Sequence, residues 1–192
     1  SHFTSANPRV GLFQGTDEIL DTGIDTHVHL FGLIKTAAPP DIRDRIARGE
    51  QVEAWHLLDA SKFPALAQAL VDKKMFLNPT LGAEWAQFSR HQEEFDRMAR
   101  EFLNGPLGAV LPPESRPRYA GAYAPYRGEH AAEMAEGYRK VGEFVKEFVQ
   151  RGGKVIAGAD TGPTEPAGVT LHVEMRMLEE VGLTPMQALQ AA

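Results

Sequence analysis

Short apolar runs alternate along this chain with longer stretches of helical spacing. The run Gly23-Ile24-Asp25-Thr26-His27-Val28-His29-Leu30 is rich in β-branched residues and bounded by Gly23 and Gly32, which predicts a buried strand carrying two histidines at its end. Past the Pro39-Pro40 turn, helical spacing covers Asp41 to Arg48 and Ser61 to Lys73, with Phe63, Leu66, Ala67 and Leu70 on one face. Ser61 is the expected N-cap, leaving Pro64 in the tolerant first turn. Lys74 to Asn78 is a second strand, closed by Pro79. Glu84 to Leu103 is expected to be one helix whose Trp85, Phe88, Phe95 and Phe102 share a core-facing stripe.

Gly105 to Gly128 is rich in Pro, Gly and Tyr without a sustained period, so a long loop is expected there, of the kind that is either functional or disordered. Glu129 to Arg151 returns to an amphipathic helix through Met134, Tyr138, Val141, Val145 and Val149, stopped by Gly152-Gly153. Lys154 to Asp160 follows as a third buried strand. A Gly and Pro loop then leads into a helix holding Glu174, Met177, Leu178 and Val181, and Pro185 opens a last helix at its favoured first position. Strands alternating with helices predict βα units on a parallel sheet, an α/β fold. With about three strands and an end inside a helix, the chain reads as a fragment, truncated at both ends.

Composition narrows the chemistry. The 192 residues carry a net charge of -6, with 43% hydrophobic and 24% charged, an ordinary globular balance that argues against a general nucleic-acid or anionic-membrane binder. A small-molecule or peptide substrate is expected instead. With no Cys, any metal must be held by carboxylates and the seven histidines. No apolar run is long enough for a membrane helix, and Ser1-His2-Phe3-Thr4 lacks the features of a signal peptide. A cytoplasmic location is the expectation, with the true N-terminus expected to lie upstream because no initiator Met is present.

In parallel α/β folds functional side chains gather where strands end, and His29 and Asp160 both fall there. An imidazole nitrogen and a carboxylate oxygen are ligands that divalent zinc, manganese, iron or cobalt accept. Taken singly, each has a plainer reading: a core histidine with a hydrogen bond, and an Asp that shapes a turn.

Taken together with their surroundings these segments resemble the amidohydrolase superfamily, in its imidazolonepropionase-like and prolidase-like branch. Gly23-Ile24-Asp25-Thr26-His27-Val28-His29 is similar to the sixth barrel strand, whose pattern ends in a metal-binding histidine. Asn78-Pro79-Thr80-Leu81 resembles the end of the seventh, and Ala157-Gly158-Ala159-Asp160-Thr161-Gly162 the eighth, whose Asp is metal-associated and catalytic. Gly168 to Glu174 and Val181 to Leu189 are the most specific matches. Asp25 to His29 also resembles the first-strand His-x-His motif, but the interval to Asp160 is about half of the ~250 residues of a whole barrel and shows one further strand. The sixth-strand reading is therefore preferred. It implies a partial TIM (β/α)8 barrel, roughly strands 5/6 to 8 with their helices, so that residues 1–192 form the C-terminal part of a metal-dependent hydrolase barrel domain.

The resemblance implies hydrolysis of an amide-like carbon-nitrogen bond, in a dipeptide or a non-peptide substrate, by metal-activated water. Asp160 would be ligand and catalytic base, His29 a ligand, and His2 the fifth-strand ligand, with zinc expected as one or two ions. His172 at a helix start, and Tyr119 and Tyr123 in the long loop, are candidates for substrate contact, against plainer readings as a surface histidine and a loop packed on its own aromatics. Alternation places His27 on the face of His29, one layer deeper, in a structural role, while His56, His91 and His130 are expected to be solvated. Two alternatives stay open, an inactive fragment or binding module that keeps barrel sequence, and a ring deaminase of the same superfamily. Self-association into a homo-oligomer is also open.

Overall fold

The computed structural model describes residues 15–48, 50, 52–162 and 165–192. It is an α/β structure, mostly helical, with one small parallel sheet. In chain order the elements are β1 (Thr26–Val28), α1 (Phe31–Ala37), α2 (Pro40–Ala47), α3 (Phe63–Asp72), β2 (Phe76–Asn78), α4 (Leu81–Glu84), α5 (Gln92–Asn104), α6 (Pro106–Ala109), α7 (Arg116–Ala120), α8 (Ala131–Gln150), β3 (Lys154–Val155), α9 (Val169–Glu180) and α10 (Pro185–Ala191). They fall into two compact units, Ser1–Pro79 with Gly128–Ile156, and Thr80–Arg127 with Ala157–Ala192.

The first unit is built on the sheet, in the order β1-β2-β3 with both pairings parallel. His27 lies opposite Leu77, and Leu77 opposite Val155, so these three share one face. On that side the core collects Leu33, Ala67, Leu70, Val141, Phe144, Val145 and Phe148, all essentially without solvent contact. The α8 residues among them recur every three or four positions, which lays one apolar stripe toward α3, where Phe63 meets Phe144 edge-on at 5.5 Å. The opposite face is open, with Val28, Phe76 and Ile156 exposed by 49%, 36% and 37%. Lys154 extends its ammonium 5.9 Å from the Phe76 ring centroid.

All three strands are shorter than the sequence predicts. The middle one sets the limit: Lys74, with φ 57, enters β2 from the left-handed region, and Pro79 ends its donors. Neighbours can pair only along that length. Beyond Ile156, whose N–H still donates to Leu77, the N–H of Ala157 turns away to the carbonyl of Ala191 at 2.7 Å. The cap expected at Ser61 is not made: Lys62 precedes α3 without a side-chain cap bond, and Asp59 instead caps the short turn Ala60–Lys62 before it, accepting from the Ser61 N–H at 3.1 Å and from its hydroxyl at 2.6 Å.

In the second unit the expected helix from Glu84 to Leu103 is broken. The Ser89 hydroxyl accepts from the His91 N–H at 3.0 Å and donates to Glu180 at 2.5 Å, giving the backbone an alternative to helix at that point. Only α5 continues, burying Phe95, Ala99 and Leu103. The expected long loop is also corrected, because it contains α6 and α7. Periodicity could not reveal them, since the Arg116 guanidinium braces the segment by donating to the carbonyls of Gly108 at 2.6 Å and Leu103 at 3.0 Å. In α9, Val173, Met177 and Leu178 are fully buried. α10 opens on a reciprocal capping box, in which Thr184 accepts from the Gln187 N–H and Gln187 accepts from the Thr184 N–H.

Candidate functional site

One, two and five residues past the ends of β1, β2 and β3 stand residues in a conformation that side chains rarely adopt. His29, Thr80 and Asp160 have φ of 58°, 52° and 40°. Such backbone costs roughly 1–2 kcal/mol per non-glycine residue and persists only where its surroundings enforce it, which is common at sites of function.

In the first unit, His29 has left β1, and its N–H donates to the Asn78 carbonyl at 2.9 Å. Its half-buried ring stands 5.7 Å from that of Phe31. Because β1 ends at Val28 and His29 is left-handed, strand alternation does not carry from His27 to His29, contrary to expectation. His27 is a core residue. Its Nε2 lies 3.3 Å from the Thr16 hydroxyl, and burial holds its pKa below the usual imidazole range, against backbone hydrogen bonding that raises it.

The second unit gathers three acids. Thr80 is buried and precedes α4, whose last residue is Glu84. A carboxylate oxygen of Glu84 lies within 4.8 Å of one of Asp160. Burial pushes Glu84 up to about 7, and the negative charges of Asp160 and Glu165 push in the same direction. Glu165 is braced by the Gly162 N–H at 3.2 Å. A carboxyl raised in this way beside a second acid is the pattern by which proteins make a general acid from a carboxyl group. The same oxygens suit a divalent cation, whose charge would offset both the burial and the neighbouring negative charges that raise Glu84.

Beneath them lies a polar frame. Tyr123 is 1% exposed and packs edge-on against Phe95. Its hydroxyl donates to the Thr170 hydroxyl at 3.1 Å, which donates to the Pro166 carbonyl at 3.0 Å. Burial pushes Tyr123 up to about 12; the bond to Thr170 works against the rise, and the Glu165 charge adds to it. Glu174, on α9, is wholly buried and accepts from the Gly82 N–H at 2.6 Å. Burial pushes it up to about 8 against two backbone hydrogen bonds.

Of the other residues singled out in the sequence, His172 is exposed on α9. Tyr119 is half-buried against Phe102, and His2 lies outside the described residues. His130 is exposed, with Glu133 at 2.6 Å from its Nδ1. His56 and His91 are not solvated as expected. Both are half-buried, His56 with its Nδ1 lacking a hydrogen-bond partner among the described residues and His91 accepting from the Arg90 guanidinium at 3.1 Å. Compared with family models, with curated proteins and with solved structures, the chain matches none.

Proposed function

We propose that this chain is part of a metal-dependent hydrolase of amide-like carbon-nitrogen bonds, related to the amidohydrolases, its three parallel strands corresponding to strands six to eight of a (β/α)8 barrel. The observation that carries the reading is the Glu84–Asp160 pair, two carboxyls within 4.8 Å of each other, with Glu84 raised to about 7. On this reading Asp160 and Glu84 hold a divalent cation, zinc first. A bound cation of that kind lowers the pKa of coordinated water toward neutrality. Asp160 takes the proton of the attacking water and passes it to the leaving nitrogen. His172 and Tyr119 are proposed to meet a small substrate, a dipeptide or an imidazolone-like ring.

The test is to add Zn²⁺ or Co²⁺ to the full chain and measure bound metal and hydrolysis of a panel of dipeptides and ring amides. Asp160→Asn and Glu84→Gln should each weaken metal binding or abolish turnover. Tight metal binding without turnover favours a binding module, and release of ammonia from a ring substrate favours a deaminase. No metal binding at all removes the reading.

A further inference from the structure

Glu174 differs from the other acids of the second unit. Its side chain is 0% exposed, and its Oε1 is buried without a hydrogen-bond partner among the described residues. Its Oε2 accepts from the Gly82 N–H at 2.6 Å, and Leu81 contributes a second backbone hydrogen bond. Those two N–H groups open the first turn of α4, and a helix start leaves such donors without intrahelical partners. The residue that should cap them, Thr80, is left-handed and makes no side-chain cap bond. Glu174 thus does from α9 what the local sequence does not.

The approach is close. A Cβ on Gly82 would stand 3.2 Å from both the Glu174 nitrogen and the Thr170 oxygen, so a larger residue would lift α4 from α9. Glu84 lies in the same single turn, two residues beyond Gly82, and no longer helix exists to hold it in place.

For stability alone an acid is a poor choice here. Burying a carboxyl is expensive, and an apolar side chain would fill the space without that desolvation. What an apolar side chain cannot do is accept from the Leu81 and Gly82 N–H groups. We infer that Glu174 is a positioning residue, whose carboxyl clamps the first turn of α4 and so holds Glu84 beside Asp160. The inference rests on the proposed function only for what the Glu84–Asp160 pair binds.

The experiment compares Glu174→Gln, Glu174→Leu and Met177→Ala in the full chain, the last being a packing change on the same helix that leaves the clamp intact. Co²⁺ affinity and its visible absorption report the pair, and amide exchange at Leu81, Gly82 and Glu84 reports the turn. Glu174→Gln keeps an acceptor and should preserve the Co²⁺ spectrum and slow exchange. Glu174→Leu should weaken Co²⁺ binding by about 10- to 100-fold, the range seen when groups that orient metal ligands are removed, and should speed exchange at α4. Met177→Ala should lower thermal stability without either effect. Wild-type Co²⁺ affinity in Glu174→Leu, or an equal loss in Met177→Ala, overturns the inference. If even the wild-type chain binds no Co²⁺, the proposed function falls, and exchange at α4 alone decides the clamp: equal rates in Glu174→Leu and Met177→Ala overturn it.

Discussion

The first unit buries an imidazole under its sheet, whereas the second buries carboxyls between its helices, and the two respond to pH in opposite directions. His27 has a pKa held down by burial, so folding favours its neutral form. Its contribution is fully present above the ordinary imidazole pKa of about 6.5 and is lost as pH falls through its lower folded value. Glu174 and Glu84 are raised to about 8 and about 7, so folding favours their protonated forms. Their contribution is fully present below the ordinary carboxyl pKa and is lost as pH rises through those values. The contrast teaches where work is done. An apolar core tolerates a histidine by keeping it neutral, whereas a carboxyl raised by burial beside another acid, as Glu84 is, suits proton transfer or cation binding.

The largest expected effect comes from removing the acid that the proposed chemistry centres on. Asp160→Asn should lower turnover by on the order of 10² to 10⁴-fold, because the amide keeps the shape but cannot carry a proton. Near-normal turnover in a metal-loaded Asp160→Asn chain would break the assignment of chemistry to the second unit. Next come the pH arms. Glu174→Gln should flatten the loss of second-unit stability between about pH 4.5 and 8, removing a slope of about 1.4 kcal/mol per pH unit for one proton. His27→Leu should flatten the acid arm of the first unit below about pH 6.5, without touching the alkaline arm. Residue-resolved hydrogen exchange reads the two units separately, and parallel pH profiles in both would undo the comparison.

Packing gives a smaller contrast. A Cβ at Gly153 would fall 2.5 Å from the Phe148 ring, so Gly153→Ala should destabilise the first unit by about 1–3 kcal/mol in denaturant titration. The smallest effect is expected at Thr80, where Gly relieves the left-handed strain. Thr80→Gly should change the stability of the second unit little in denaturant titration, because relief of the left-handed strain is offset by the loss of a buried side chain.

Much of the frame was legible in the sequence because burial repeats. The α8 stripe, the Gly152-Gly153 stop, the three strand positions and Pro185 at the first turn of α10 all follow from local pattern. The candidate site was less legible. Asp160 could be found from its place after a strand, but Glu84 sits in a stretch that reads as one long amphipathic helix until the Ser89 turn breaks it. A usable signal existed for Glu174: it shares its helix face with Thr170, Val173, Met177 and Leu178, where an acid is out of place unless it has partners. The partner N–H of Gly82 lies 92 residues away, and no local pattern announces it.

The bond from the Ala157 N–H to the Ala191 carbonyl ties the last turn of α10 to the stretch that leads into Asp160. A change that distorts the last turn of α10 would therefore pull on the backbone three residues before Asp160, although α10 carries none of the acids of the candidate site.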